Sequence, residues 1–242
     1  DSECRGSTPL KIFLEKGWIT EEFMELYVYC WVKKQLKIKS TSSKKSTFTI
    51  GWDPRDPSGV FTEAVVRGVR KAGGEAQVLG VVPTPLVPLF MLHEGVEGGI
   101  MVTASHNPKD QNGIKLFLPF HGMKPLPSDD ADLTQDLLKQ SFSVLNKLRL
   151  KGKRTDCRQK ALELFRHFSL TPENSWIESP KTLKDLILVV DPAFGALKEI
   201  AAPIFREAGV GKVIEINAGK NGAVNLRSGV AELEGCPRIT AD

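Results

Sequence analysis

One short stretch of the chain gathers the groups of nucleophilic and acid–base chemistry. Ser105 brings a hydroxyl, His106 an imidazole and Lys115 an amine. Asn107-Pro108 favours a turn, and Asn112-Gly113 is a second turn signal. The chain is therefore expected to double back and return Lys115, on a following strand, toward Ser105. A serine in so tight a loop can be both exposed and rigidly held. Each residue also has a plainer reading: an ordinary turn serine, a histidine that stabilises the turn, and a lysine facing solvent from its strand. Asn107 is expected to hold the shape of the loop.

The elements that must position this loop follow from hydrophobic patterning. Ile100 to Val102 reads as the end of a buried strand, Val96 to Val102, delivering Thr103, Ala104 and Ser105 to its C-terminal end. Ligands of open α/β sheets bind beyond such ends. Upstream, residues 20–36 read as a helix capped by Thr20, with Glu21 and Glu22 suiting its first turn. Phe48 to Gly51 reads as a strand running into Asp-Pro-Arg-Asp-Pro. Asp53 and Arg55 in that turn are expected to pair with each other or to cap a helix. Ser58 to Ala72 reads as a helix capped by Ser58 and closed by Gly73 and Gly74. A strand over 75–82 follows, and Pro83 and Pro85 then open a short helix ending near His93. Gly113 to Leu118 is a further strand, so close behind its predecessor that it must return as a hairpin and make the sheet mixed.

Residues 129–149 read as an amphipathic helix leading into a basic, solvated link, Lys147 to Arg158, and then a helix over Asp156 to Phe168. The pattern then restarts: strand Leu183 to Val190, helix Gly195 to Ala208, strand Lys212 to Ile216. Residues 217–242 have no clear periodicity. The expected fold class is α/β, a mixed sheet layered with helices. The first domain, 1–150, is expected to be complete, and a similar α/β domain over 151–242 to be partial.

Composition narrows the function classes. With 41% hydrophobic and 26% charged residues, the chain can bury a core. No apolar run is long enough to span a membrane, and no basic region followed by an apolar stretch opens the sequence, so a cytoplasmic protein is expected. Its 4 cysteines are scattered without a CxxC pair, which argues against a zinc site or a disulfide framework. A net charge of +4 suits an anionic substrate and is too small to imply nucleic acid.

The segment GGIMVTASHNPKDQNGIKLF, residues 98–117, resembles the phosphoserine loop of the α-D-phosphohexomutases, T-A-S-H-N-P followed by N-G-[IFV]-K. Arg5-Gly6, Gly51-Trp52-Asp53-Pro54-Arg55, Pro83-Thr84-Pro85 and LVVDPAFGALKEIAAPIFREAG resemble further elements of that family. The resemblance implies a phosphosugar mutase. Phosphorylated Ser105 would give its phosphoryl group to a hexose 1- or 6-phosphate, and the bisphosphorylated intermediate would return the other phosphate. It further implies Lys115 as general acid/base or as a cation near the phosphate, His106 as a hydrogen-bonding or proton-shuttling group, and Arg5 and Asn107 at the phosphate. A glucose 1,6-bisphosphate-type activator is implied as well. So is Mg²⁺, bound by Ser105 through its phosphate and by the aspartates of a D-G-D-x-D-R loop. No D-x-D-x-D occurs in these 242 residues. The chain is accordingly expected to be a fragment lacking the metal loop and the third and fourth domains, and to be inactive by itself. The alternative is a non-catalytic phosphosugar-binding or regulatory fragment. Which hexose phosphate is used and the oligomeric state stay open.

Overall fold

Strand β1 (Thr47–Trp52) lies at the middle of a five-stranded sheet. It is flanked by β2 (Glu75–Val81) on one side and β3 (Gly98–Val102) on the other, both parallel to it. The order is completed by β4 (Ile114–Phe117), antiparallel to β3, and β5 (Arg154–Asp156), parallel to β2. The hairpin return and the mixed sheet are thus as the sequence implies. The computed structural model describes residues 9–38, 45–140, 142–174, 183–219 and 222–226.

Side chains alternate across a pleated sheet, so a strand covered on both faces must be apolar throughout. All five residues of β3 are buried. Phe48, Ile50, Ile100 and Val102 join the core beneath α2 (Glu21–Ile38) and α3 (Val60–Ala72). Leu79 and Met101 join the opposite core beneath α4 (Leu86–Glu94) and α7 (Arg158–Leu170). Each such large side chain, fully buried, contributes about 1.5–3 kcal/mol. Close approach demands glycine at Gly98, where a Cβ would lie 2.4 Å from Cη2 of Trp31. Three more helices belong to this layer structure: α1 (Pro9–Lys16), α5 (Pro127–Leu138) and α6 (Phe142–Lys147).

Capping explains where the helices start. The Thr20 hydroxyl accepts from the Phe23 N–H at 3.2 Å, and Glu21 and Glu22 occupy the first turn of α2, as the sequence implies. The expected Ser58 cap of α3 is a correction. The chain passes Ser58, turns through Gly59 (φ 70°), and the helix starts at Val60 with Asp56 as its acceptor. The Asp56 carboxylate takes the Thr62 N–H at 2.8 Å and the Thr62 hydroxyl at 2.9 Å. Asp56 is buried and Ser58 exposed, and it is the aspartate that takes the orphan Thr62 N–H. At the other end Gly73 (φ 105°) closes the helix.

Two other expectations change. The amphipathic stretch at 129–149 is two helices: α5 ends at Leu138, closed by Lys139, and α6 starts at Phe142. Within the basic link, Arg154–Asp156 is the edge strand β5, and Arg154 pairs with Glu63 at 2.8 Å. The link is therefore hydrogen-bonded sheet over part of its length.

Beyond α7, a 3-10 turn covers Pro172–Asn174. Strands β6 (Ile187–Val190) and β7 (Lys212–Glu215) then pair in parallel, joined through α8 (Ala201–Glu207). The helix starts later than the patterning suggests, because Glu199, inside the expected span, takes a positive φ of 65° and cannot be helical. Among the described residues, no helix is long and apolar enough to cross a membrane.

Candidate active site

The parallel strands β1 and β3 end side by side, with Trp52 opposite Val102, so the residues leaving them meet. Asp53 and Thr103 are both buried at this edge. The Asp53 carboxylate accepts from the Thr103 hydroxyl, from the Arg55 N–H at 3.1 Å and from Arg55 Nε at 2.9 Å. The expected Asp53–Arg55 pair is therefore formed, with the Arg55 side chain only 1% exposed.

The guanidinium has a second task that the sequence reading did not foresee. Its Nη1 donates to the carbonyl of Gln111 at 2.9 Å, with longer contacts of 3.4 Å to the carbonyls of Asn107 and Pro108. Its Nη2 donates to the carbonyl of Ser105. A planar fork with five donors can serve a carboxylate and several carbonyls at once, which an ammonium cannot. The signal in the sequence was the Asp-x-Arg spacing at the end of a strand.

The loop so held runs from Thr103 to Gly113, closed by the Thr103 N–H to the Gly113 carbonyl at 2.9 Å. Within it Ser105 has φ 56°, a left-handed conformation uncommon for any residue but glycine. That strain costs about 1–3 kcal/mol and persists only where the surroundings over-determine it. Here the Ser105 N–H donates to the Thr103 hydroxyl at 2.9 Å while Arg55 holds its carbonyl. The side chain is left exposed.

The Asn112-Gly113 turn returns the chain along β4, and Met101 faces Lys115 in the hairpin. Lys115 Nζ thereby meets Ser105 Oγ in a hydrogen bond. Burial, the positive charge of Lys124 and that of Arg55 push the Lys115 pKa below the ordinary lysine value, against an opposing pull from Asp53. Lys124, absent from the sequence reading, thus bears on the charge of Lys115. His106 is exposed on the same turn. Asn107 Nδ2 donates to Gln111 Oε1 at 2.8 Å, consistent with a part in the loop's shape. Arg5 lies outside the described residues.

The arrangement offers an exposed, positioned hydroxyl with an amine on its oxygen and fixed positive charge nearby. Mg²⁺ needs about six oxygen ligands in near-octahedral geometry. Among the described residues, no group of three or more His, Cys, Asp or Glu could hold a metal ion. Asp53, buried at the base of the loop, is already engaged by Arg55 and Thr103. The described side chains therefore do not make a magnesium site.

Residues 14–143 match the family model for phosphoglucomutase/phosphomannomutase, alpha/beta/alpha domain I. Among curated proteins, the chain is 35% identical over 185 residues to phosphoglucosamine mutase of Mycobacterium leprae, an alignment covering 76% of this chain and 38% of that protein. It is 36% identical over 187 residues to phosphoglucosamine mutase of Parafrankia, again covering 76% and 38%. The crystal structure of a phosphoglucomutase/phosphomannomutase family protein from Burkholderia thailandensis superposes with a TM-score of 0.62 at 19% identity, covering 87% of this chain and 43% of that one. The chain spans about two fifths of the length of these curated relatives.

Proposed function

Because the chain belongs to the phosphoglucomutase/phosphomannomutase family, we propose that Ser105 is the phosphoryl carrier of a hexose phosphate mutase. In the donor step the bond from Ser105 Oγ to phosphorus breaks and a bond from phosphorus to a sugar hydroxyl oxygen forms. Protonated Lys115 supplies a proton to the departing Oγ, and the sugar hydroxyl gives its own proton to water. In the return step the directions reverse: neutral Lys115 takes the Ser105 proton as Oγ attacks the other phosphate of the bisphosphorylated sugar. A lowered lysine pKa suits a group that must serve both ways. Arg55 acts at a distance, holding the loop so that Oγ needs little reorganisation.

The single observation carrying this reading is the Lys115 Nζ to Ser105 Oγ hydrogen bond, made to a serine in a strained, exposed conformation. Sugar selection, Mg²⁺ and the activator are proposals for the whole protein. Among the described residues, no group of three or more His, Cys, Asp or Glu stands ready for such a metal. The names of the curated relatives make a glucosamine phosphate the first substrate to try, beside glucose 1-phosphate and mannose 1-phosphate.

The test is phosphopeptide mapping by mass spectrometry on the protein from its uninterrupted reading frame, before and after incubation with glucose 1,6-bisphosphate and Mg²⁺. Phosphate is expected on Ser105, with turnover of at least one of the three sugar phosphates abolished in Ser105→Ala. A folded protein with Ser105 unmodified in both conditions would leave a phosphosugar-binding role in place of catalysis.

A further inference from the structure

The phosphoserine loop is gripped from two sides, and only one grip comes from the sheet that carries it. On the far side Asn225 Nδ2 donates to the carbonyl of Ser105 at 3.2 Å and to that of Asn107 at 3.0 Å. Two amide hydrogens meet two carbonyls, so one side chain bridges the turn that contains the reactive serine. Asn225 stands 120 residues further along the chain than Ser105, in the part that follows β7.

A scaffold at the carboxyl ends of β6 and β7 aims this amide. The Asp191 carboxylate accepts from the Ala193 N–H at 2.8 Å and from Asn217 Nδ2 at 2.9 Å. The Asn217 carbonyl in turn accepts from the Phe194 N–H at 2.7 Å. The Phe194 ring leaves no room for a side chain at Gly222, where a Cβ would lie 2.0 Å from it. The Asn225 N–H then donates to the Ala193 carbonyl at 2.9 Å. Ala193, Phe194, Asn217 and Asn225 all have positive φ, between 48° and 61°. Such clustering of left-handed residues is found where a structure is over-determined for function.

We infer that Asn225 is a positioning residue for phosphoryl transfer at Ser105: its amide couples the docking of the β6–β7 unit to the order of the phosphoserine loop. The inference rests on the reading of Ser105 as phosphoryl carrier. Asn225 touches backbone carbonyls and no reacting atom. Its effect is to hold Oγ in attack geometry when the second unit is seated, and to release the loop when that unit moves away.

Two substitutions separate the amide from the backbone it sits on. Asn225→Gly keeps the left-handed conformation without strain and removes the side chain. Asn225→Asp keeps the shape, tolerates positive φ, and replaces the donor with acceptors facing carbonyls. Both are made in the full-length protein and compared by three readouts: thermal melting, kcat and KM for the sugar phosphate, and tryptic cleavage after Lys109, an exposed site inside the loop. The expected result is an unchanged melting profile, a fall in kcat of about 10- to 100-fold with little change in KM, and faster cleavage at Lys109. Wild-type kcat and wild-type cleavage in a folded Asn225→Gly or Asn225→Asp protein would overturn the inference. If neither variant folds, Asn225 is a stability residue and the inference is equally overturned. Phosphopeptide mapping of the wild type runs alongside. Absence of phosphate on Ser105 removes the underlying reading and the inference with it, whereas phosphate on Ser105 with indifferent variants removes the inference only.

Discussion

Replacing Arg55 by methionine probes how the loop is held, and its cost can be worked from the geometry. The Arg55 and Asp53 side chains are 1% and 10% exposed, so their pair is largely withdrawn from water. Methionine keeps an unbranched stem and removes the charge. The Asp53 carboxylate would retain the N–H of residue 55 and the Thr103 hydroxyl, and no cation. Breaking a buried pair by removing one partner costs about 3–5 kcal/mol. The loop carbonyls lose donors too, but they lie near solvent and water can replace much of that loss. The expected destabilisation is therefore about 3–5 kcal/mol, a large share of the roughly 5–15 kcal/mol that holds a domain together. Asp53→Asn combined with Arg55→Met removes the orphan charge, and this double variant should recover about 2 kcal/mol relative to Arg55→Met. Urea unfolding followed by far-UV circular dichroism measures both, provided the slopes agree between variants. A cost below about 1 kcal/mol for Arg55→Met, or a double variant no more stable than the single one, would refute the electrostatic account.

The pH dependence of the step that phosphorylates Ser105 should follow Lys115. The amine must be neutral to take the serine proton, and its pKa lies below the ordinary value, so the rate should rise with pH and level off below the usual lysine range, about 10.4. Lys115→Arg keeps the charge and cannot shed it; a loss of about 10²–10⁴ in rate together with the disappearance of that rise marks proton transfer, whereas near-normal activity would assign Lys115 a purely cationic role. Asp56→Ala, which strips the cap from α3, should lower stability by about 1–2 kcal/mol, while Ser58→Ala should change it by less than about 0.5 kcal/mol; thermal melting of the two proteins side by side decides, and equal effects would contradict the Asp56 cap.

Legibility in the sequence followed the strength of local patterning. The run from β1 to β4 could be read because buried strands are continuous apolar segments and because Pro, Gly and Asn-Gly punctuate them. The meeting of Ser105 and Lys115 followed from the same turn signals. Arg154–Asp156 could not be read this way. Its three residues are all exposed, so it carries no apolar alternation and joins the sheet through backbone hydrogen bonds. The cap of α3 was misplaced by two residues, since a serine next to the expected start outweighed an aspartate one turn of loop away. The reach of Arg55 to four carbonyls and of Asn225 to two depends on tertiary placement that neither spacing nor residue type encodes.

The edge strand β5 has a consequence for how the polypeptide is made. The paired residues of β2 emerge from synthesis 78 residues before their partners, Ala76 before Arg154 and Val78 before Asp156. At roughly 5–20 residues per second, that interval is about 4–16 s. Throughout it, one side of Ala76–Val78 presents unpaired backbone groups, the kind of open margin on which other chains can template. The same exposure becomes permanent in any piece trimmed at residue 143, where the family match ends. A boundary placed after Asp156 keeps that margin sealed, and one that also spans α7 retains Ala161, which belongs to the same buried cluster as Leu79 and Phe90.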